Sequence, residues 1–159
     1  MANISERRRI DVAKRLIAAS PQTIYRAFLD PVAWVKWLPP QGMTGHIYEF
    51  EPRPGGAYRM ALTHSRWDHS ARGKTSEDSD VVEGRFAELV PNEKVVHLIT
   101  FQSDDPAFAG EMKMTWRLSP GPGGTHVTIT CENVPEGIRQ EDHDAGLRST
   151  LKNLATFVE

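Results

Sequence analysis

One cysteine and the absence of any long hydrophobic run are the first properties of this sequence that limit what it can be. Cys131 stands alone among 159 residues, so the chain forms no internal disulfide. We expect a buried structural thiol rather than a nucleophile. Nowhere do about 18 apolar residues follow one another, which is the length that a transmembrane helix needs. The sequence therefore predicts a soluble protein of a reducing compartment, and we expect the cytoplasm.

The sequence also lacks a large excess of positive or negative charge. The formal net charge is −2 and charged residues make up 25% of the chain, as in ordinary globular proteins. So little net charge argues against broad electrostatic binding to nucleic acid or to an anionic membrane. Residues 1–9 are polar and basic, with no apolar stretch of signal-peptide length behind them. We therefore expect no nucleic-acid partner, no membrane partner and no targeting segment.

Motifs for metals, phosphates and nucleophilic catalysis are missing. His64 and His69 are five residues apart in an expected loop, and neither His-Glu-x-x-His nor Cys-x-x-Cys occurs. Gly55 and Gly56, and the glycines of 121–124, belong to expected hairpins rather than to the strand-to-helix turn that binds phosphates. The sequence predicts no metal and no cofactor, and it contains no nucleophile elbow.

What is present begins with a strand and two short helices. The strand is predicted over Arg9–Ile17. Ser20 and Pro21 then supply an N-cap and a first-turn proline for the first helix. A second helix follows Asp30-Pro31 and is stopped by Pro39-Pro40.

Alternation of period two dominates the middle of the chain and is typical of strands. The predicted strands are Gly45–Glu51, Ala57–Thr63, Val81–Leu89, Lys94–Phe101, Glu111–Leu118 and Thr125–Asn133. Most are joined by short turns rich in glycine and proline, which favour antiparallel hairpins. The polar stretch 65–80 is interpreted as a mobile hairpin loop. We expect a single domain over 1–159 with a curved antiparallel sheet of about seven strands.

The C-terminal segment is predicted to form one long amphipathic helix from about residue 138 or 141 to residue 158. Leu147, Leu151, Leu154 and Val158 recur at steps of four, three and four residues. Their apolar face should cover the concave side of the sheet, because no other element remains to do so. One helix cannot fill that concavity, so a cavity is expected beneath it.

An ordered set of short motifs spans nearly the whole chain. They are Ile17–Pro21, Tyr25–Phe28, Trp34 with Trp37–Pro39, Arg53–Arg59, Glu83–Phe86, Val90–Val96, Met114–Trp116 and Gly123–Ile129. This set resembles the START-like, or SRPBCC, superfamily, and within it bacterial proteins of the AHSA type (activator of heat-shock protein 90 ATPase homologue-like). The resemblance covers about residues 9–158. It implies an α+β fold of the helix-grip, or Bet v 1-like, kind.

Two departures limit what this resemblance implies. Relatives usually carry a Gly-Trp pair where the long helix opens, whereas this chain has Gly146-Leu147, so one wall of the pocket should be smaller. Eukaryotic co-chaperones of the family carry a separate N-terminal domain, for which we expect no room in 159 residues. We therefore expect neither a relative's ligand nor activation of a heat-shock ATPase to carry over directly.

Alternation along the strands assigns candidate cavity residues. Met112, Met114 and Trp116 share one face, and Lys113 and Arg117 share the other. The full set of candidates is Trp37, Tyr58, Met60, Phe86, His97, Ile99, Met112, Met114, Trp116, Ile129, His143, Leu147 and Leu151. For any one of them taken alone, core packing is the favoured interpretation. Together they predict an apolar pocket with a few polar groups, the usual form of a small-molecule site.

The polar candidates are Tyr58, His97, Trp116 and His143, and two of these are histidines. The strand around His97 is apolar on both faces, so the direction of its side chain is open. If it points inward, an imidazole with a pKa near neutrality could orient a ligand carbonyl or act as a general base. A hydrogen-bonded core histidine or a surface histidine is the alternative. His143 should lie by the cavity mouth, where its acidic neighbours form a charge cluster at the helix N-terminus.

Three functions fit these expectations, and fold alone does not decide among them. The first is a binding module for a small apolar ligand, as a monomer or homodimer. The second is a co-chaperone-like regulator of a chaperone ATPase, which needs an exposed patch on the sheet. The outer positions Arg59, Arg85, Lys113 and Arg117 are instead mixed and solvated. The third is a cyclase- or hydrolase-like enzyme, which needs two titratable groups within hydrogen-bond reach. We expect the first, without catalysis.

Overall fold

The computed structural model describes residues 9–39, 42–64 and 79–159. Its strands and helices are β1 (Arg9–Ile17), α1 (Pro21–Ala27), α2 (Pro31–Trp37), β2 (Met43–Phe50), β3 (Ala57–His64), β4 (Ser79–Val90), β5 (Lys94–Phe101), β6 (Met112–Gly121), β7 (Gly124–Val134) and α3 (Gln140–Val158), with a 3₁₀ turn at Pro106–Phe108.

The strands form one antiparallel sheet in the order β1-β7-β6-β5-β4-β3-β2. Strands β2 to β7 follow the predicted meander. Strand β1 instead pairs with the last strand, with Ile17 opposite Thr125. The helices α1 and α2 therefore carry the chain from one edge of the sheet to the other. This α+β arrangement with a long C-terminal helix confirms the predicted helix-grip fold.

The N-cap of the first short helix is the predicted Ser20, and Asp30 caps the second helix in the same way. The Ser20 side chain accepts a hydrogen bond from the amide of Thr23, and the Asp30 side chain accepts one from the amide of Val32. Proline occupies the first turn of both helices, where its missing N–H is not needed. Each helix is seven residues long and buries one side against the sheet.

Several boundaries differ from the prediction by a few residues. Strand β6 runs to Gly121 and pairs with Gly124 at the start of β7, because Gly123 adopts a φ of 85° and closes a tight turn. Strand β4 begins at Ser79, inside the stretch 65–80 for which the sequence predicts a loop. Residues 65–78 of that loop, which include His69, lie outside the described residues.

Helix α3 buries the predicted apolar face, with Leu147, Leu151 and Leu154 inside. Its contacts are with β1, α1 and α2. Two side chains of α3 also donate to carbonyl groups where α2 ends, Thr150 Oγ1 to Leu38 at 3.0 Å and Asn153 Nδ2 to Pro39 at 2.9 Å. A helix end stopped by proline leaves such carbonyls unpaired, and α3 satisfies them. Among the described helices, none is long and apolar enough to cross a membrane.

An aromatic cluster fills the space between the sheet and the short helices. The Phe28 ring lies 5.0 Å from both Trp37 and Trp116, edge to face. Trp37 Nε1 donates to the carbonyl of Ala27 at 3.0 Å, so its polar atom is satisfied inside the core. Cys131 is also fully buried, and burial raises the pKa of its thiol to about 12. This part of the concave face is closed, and the open part lies beside it.

Candidate functional site

A cavity of about 730 Å³ lies between the concave face of the sheet and the N-terminal half of α3. Most of its wall is aliphatic, with methionines prominent among the lining side chains. Polar groups occur at three places. Tyr58 and His97 lie on the sheet, Arg139, Asp142 and His143 lie at the beginning of α3, and Ser149 and Thr150 lie further along that helix. This is an apolar chamber with few polar groups, the form that small-molecule sites usually take.

The candidates from the sequence divide into two groups in space. Those that line the cavity are Tyr58, Met60, His97, Ile99, Met112, Met114, His143 and Leu147. Those that belong to the core beside it are Trp37, Phe86, Trp116, Ile129 and Leu151, all no more than 1% exposed. Alternation places residues on a face of the sheet, but α1 and α2 decide which part of that face is already covered. The lining also includes residues that were not predicted, among them Leu38, Met43 and Phe108.

A chain of hydrogen bonds joins three of the polar candidates across the sheet. Trp116 Nε1, on β6, donates to His97 Nε2, on β5, at 2.9 Å. His97 Nδ1 lies 2.7 Å from the Tyr58 hydroxyl, on β3. All three side chains are at most 3% exposed. His97 therefore points inward and is a hydrogen-bonded buried histidine, which is one of the two alternatives that the sequence leaves open.

Gly84, on the intervening strand β4, makes this connection possible. It lies directly opposite Tyr58 in the β3–β4 register. A Cβ at position 84 would overlap the Tyr58 ring and would lie only 2.5 Å from its hydroxyl oxygen, so the ring lies flat over the glycine. A glycine inside a strand commonly marks such a close approach. The ring thus crosses β4 and reaches His97 on β5.

Burial keeps both partners of this hydrogen bond neutral. It lowers the pKa of His97 to about 3, because the charged imidazolium is disfavoured away from water. It raises the pKa of Tyr58 well above its usual range for the same reason. The expectation that an inward His97 would have a pKa near neutrality is therefore wrong. The pair offers hydrogen bonds to a ligand rather than a base at neutral pH.

A second polar group lies where β1 meets the start of α3. The Asp11 carboxylate is bound by His143 Nδ1 at 2.7 Å and by two nitrogens of Arg9 at 2.9 and 3.1 Å. Arg9 also donates to the carbonyl of Ile138 at 2.6 Å. Burial raises the pKa of Asp11, but the hydrogen bonds from Arg9 and His143 outweigh burial and leave that pKa below its usual value. We call these three side chains the β1–α3 clasp.

His143 lies at the cavity wall and also belongs to the clasp. The acidic residues of the first turn of α3 are Glu141 and Asp142, a favourable placement at a helix N-terminus. Glu141 forms an exposed ion pair with Arg139, with a nitrogen–oxygen distance of 3.1 Å. The cavity edge near α3 therefore carries both signs of charge.

Asp11 and Gly84 are site residues that the sequence patterns did not predict. On β1, Val12 and Leu16 are about half exposed, whereas Asp11, Ala13 and Ile17 are buried. The available signal for Gly84 was an isolated glycine inside a strand pattern. Asp11 carried no such signal, because its partner His143 is 132 positions away.

The outer face of the sheet carries charges of both signs, as expected. Arg59 pairs with Glu83 at 3.6 Å and Arg85 pairs with Glu111 at 3.7 Å. Within the described ranges, no group of three or more histidine, cysteine, aspartate or glutamate residues is placed to hold a metal ion.

A curved antiparallel sheet closed by one long C-terminal helix over an apolar chamber defines a START-like protein of the helix-grip class. Within that class the chain belongs to the AHSA1 family, since residues 18–159 match the family described as "Activator of Hsp90 ATPase homolog 1-like protein". This confirms the AHSA-type resemblance drawn from the sequence motifs.

Solved structures of bacterial proteins have the same fold. Protein CV1439 from Chromobacterium violaceum is 35% identical, with a TM-score of 0.82 over 94% of this chain and 96% of that one. The AHSA1 protein from Silicibacter pomeroyi is 15% identical, with a TM-score of 0.74 over 93% of this chain and 96% of that one. At that identity the second comparison shows the fold alone. No curated protein matches the sequence.

Proposed function

We propose that the protein binds a small, mainly apolar molecule in the cavity between the sheet and α3. The observation that carries the proposal is the cavity itself, whose volume of about 730 Å³ falls within the range of roughly 300–1,000 Å³ common for small-molecule sites. Its wall is apolar apart from a few polar groups, which suits a ligand that is apolar over most of its surface.

Binding without catalysis is favoured by the state of the polar groups on the sheet. An enzyme requires two titratable groups in reach of each other, and Tyr58 and His97 meet that condition at 2.7 Å. Burial keeps both neutral, so neither takes up or releases a proton near pH 7. A general acid or base works best with a pKa near the working pH. The pair is suited to orienting a ligand.

A fluorescence titration tests the proposal. The neutral dye N-phenyl-1-naphthylamine should bind the purified protein with saturable, stoichiometric fluorescence enhancement, because the chamber removes it from water. Native mass spectrometry before and after organic extraction should show whether a small molecule accompanies the protein from its host cell. A protein that is empty on purification and does not enhance dye fluorescence would contradict the proposal.

Two tryptophan variants locate the bound dye. Met114 lies in the cavity wall, so Met114→Trp fills part of the chamber and should weaken dye binding at least 10-fold. Phe157 is 42% exposed near the other end of α3, and Phe157→Trp adds the same ring away from the cavity. Equal dye affinity in both variants would place the dye outside the chamber.

Regulation of a chaperone ATPase is the second candidate, and one surface observation favours it. Ile10, Val12 and Leu16 are 56, 52 and 45% exposed along β1, at one edge of the sheet. An exposed apolar row of this kind often marks a contact surface. The family description names an activator of the Hsp90 ATPase, which gives the partner to test.

The assay for this candidate is the ATPase rate of purified Hsp90 with and without the protein. Stimulation that is lost in Val12→Lys, with dye binding unchanged, would assign function to β1 rather than to the cavity. An unchanged ATPase rate at a saturating concentration of the protein would remove this candidate.

A further inference from the structure

The hydrogen-bond chain across the sheet determines which of its atoms keeps a proton for a ligand. We propose that the Tyr58 hydroxyl donates a hydrogen bond into the cavity, and that the ligand is a mainly apolar molecule with a neutral oxygen acceptor, such as a ketone or ester carbonyl. This inference rests on the proposed function. It adds the chemical class of the ligand and the atom that anchors it.

Trp116 sets the donor-to-acceptor direction of these hydrogen bonds. An indole Nε1 is only a donor, and in Trp116 it lies 2.9 Å from His97 Nε2. Nε2 therefore accepts this hydrogen bond and carries no hydrogen. A doubly protonated imidazole would place two N–H groups against each other at this contact. The Trp116 contact and the burial of His97 thus both favour the neutral form of the His97 imidazole.

The position of the single imidazole hydrogen follows. A neutral imidazole carries one N–H, and since Nε2 is an acceptor, that hydrogen is on Nδ1. His97 Nδ1 lies 2.7 Å from the Tyr58 hydroxyl oxygen, so the imidazole donates and the phenol oxygen accepts. The hydroxyl hydrogen of Tyr58 is not used in this contact and remains available to another acceptor.

The surroundings of Tyr58 direct that hydrogen toward the cavity. Tyr58 is 3% exposed and lines the chamber, and its hydroxyl has no second hydrogen-bond partner among the described residues. Gly84 closes the sheet side, because a Cβ there would be 2.5 Å from the hydroxyl oxygen. A buried donor without an acceptor is unfavourable. A ligand oxygen in the chamber satisfies it.

The uncharged sheet side of the cavity favours a neutral acceptor. Tyr58 and His97 are both uncharged at neutral pH, the other sheet residues of the lining, such as Met60 and Met114, are apolar, and the charged residues Arg139 and Asp142 lie at the start of α3. Burying a carboxylate without a counter-charge is strongly unfavourable. A carbonyl or ether oxygen accepts one hydrogen bond without needing such a charge.

Matched probes that differ in one oxygen test the proposal. Suitable pairs are 9-fluorenone with fluorene, benzophenone with diphenylmethane, and 2-nonanone with nonane. In Tyr58→Phe the ratio of ketone affinity to hydrocarbon affinity should fall about 3- to 10-fold, the range that one neutral hydrogen bond supplies. The hydrocarbon affinity should stay constant, because the aromatic ring is retained. Circular dichroism checks that the variant is folded.

Trp116→Phe tests the series of hydrogen bonds from Trp116 through His97 to Tyr58 by changing a residue that does not line the cavity. Without the indole donor, His97 is free to protonate Nε2 and to accept from Tyr58 at Nδ1. The Tyr58 hydrogen then turns to His97, and the same affinity ratio should fall as in Tyr58→Phe. A role of Trp116 in packing alone would alter both probes of a pair equally.

Nitrogen-15 chemical shifts of the His97 ring give a readout that needs neither a ligand nor a variant. At neutral pH they should show a protonated Nδ1 and an unprotonated Nε2. A ring protonated at Nε2 would overturn the proposal.

The binding outcomes separate this proposal from the proposed function. Probes that bind the wild type with the same ketone-to-hydrocarbon ratio as Tyr58→Phe would refute the donor role and leave the cavity site in place. Failure of every ketone and hydrocarbon to bind the wild type would contradict the cavity site, and with it the ligand class.

Discussion

At the scale of single residues, the site depends on a glycine, Gly84, which has no side chain. Tyr58 reaches across β4 because Gly84 leaves the surface of that strand bare, and His97 is held between Tyr58 and Trp116. The position of each of these side chains depends on its neighbour in this series. A small substitution at Gly84 or His97 should therefore change the stability of the protein more than the size of the substitution suggests.

Gly84→Ala should destabilise the protein by about 1–3 kcal/mol, the usual cost of forcing extra atoms into a packed position. The new methyl group would overlap the Tyr58 ring and would push it away from His97. Urea unfolding measures the change. The matched control is Gly121→Ala, whose Cβ meets only the exposed His126 side chain at 2.8 Å, which can move aside. Equal stability of the two variants would contradict the close packing of Tyr58 on Gly84.

His97 should make the protein less stable as the pH falls below about 6.5. Its pKa is about 3 in the folded protein and about 6.5 in an unfolded chain. The unfolded state therefore takes up a proton first, and the stability present above pH 6.5 is lost progressively toward pH 3. Between pH 7 and pH 5 this loss is about 2 kcal/mol.

Urea unfolding of the wild type and of His97→Gln at both pH values isolates this contribution. All other titratable groups are common to the two proteins, so the difference between them in the change of stability from pH 7 to pH 5 belongs to His97. The same pH dependence in His97→Gln and in the wild type would show that His97 is not buried in its neutral form.

At the scale of elements, the β1–α3 clasp joins the first strand to the start of the last helix. Asp11 is buried, and both of its carboxylate oxygens accept hydrogen bonds. The local sequence around Asp11 or around His143 does not predict this contact. It fixes the beginning of α3, and α3 in turn supplies Leu147 and His143 to the cavity wall.

Asp11→Asn should lower stability by about 2–4 kcal/mol, since it removes the charge that Arg9 and His143 surround. The wild-type advantage should shrink as the pH falls through the lowered pKa of Asp11, because the carboxylate is then protonated. Thermal unfolding measures both effects. Asp144→Asn is the matched control: its exposed pair with Arg148 spans 3.3 Å, and such pairs contribute at most about 0.5 kcal/mol. If Asp11→Asn were as mild as Asp144→Asn, the clasp would not hold α3.

At the scale of the whole molecule, the cavity exists because the concave face of the sheet is wider than the three helices that pack against it. Helices α1 and α2 close one part of the concave face with aromatic rings, and α3 spans the rest. The volume that remains depends on which side chains α3 presents. Leu147 is one of them.

Leu147→Trp should narrow the cavity without unfolding the protein, because the added ring enters existing space. Affinity for the larger probes, such as benzophenone and N-phenyl-1-naphthylamine, should fall at least 10-fold, whereas small probes such as 2-nonanone should be affected less. Titrations with this size series measure the effect, with Phe157→Trp as the control. An equal loss for all sizes would indicate general disruption rather than a smaller chamber.

The sequence by itself determined the elements, their order and the fold class. Caps, proline stops and alternation act over a few residues, so Ser20, Asp30 and the strand patterns identify their elements without the rest of the chain. The tertiary structure alone decided that His97 points inward, that Asp11 meets His143, and that Trp37, Phe86 and Trp116 belong to the core while Met60 and Met114 face the cavity. These outcomes depend on contacts between residues far apart in the chain. Local periodicity says which face a residue occupies, but it carries no information about what covers that face.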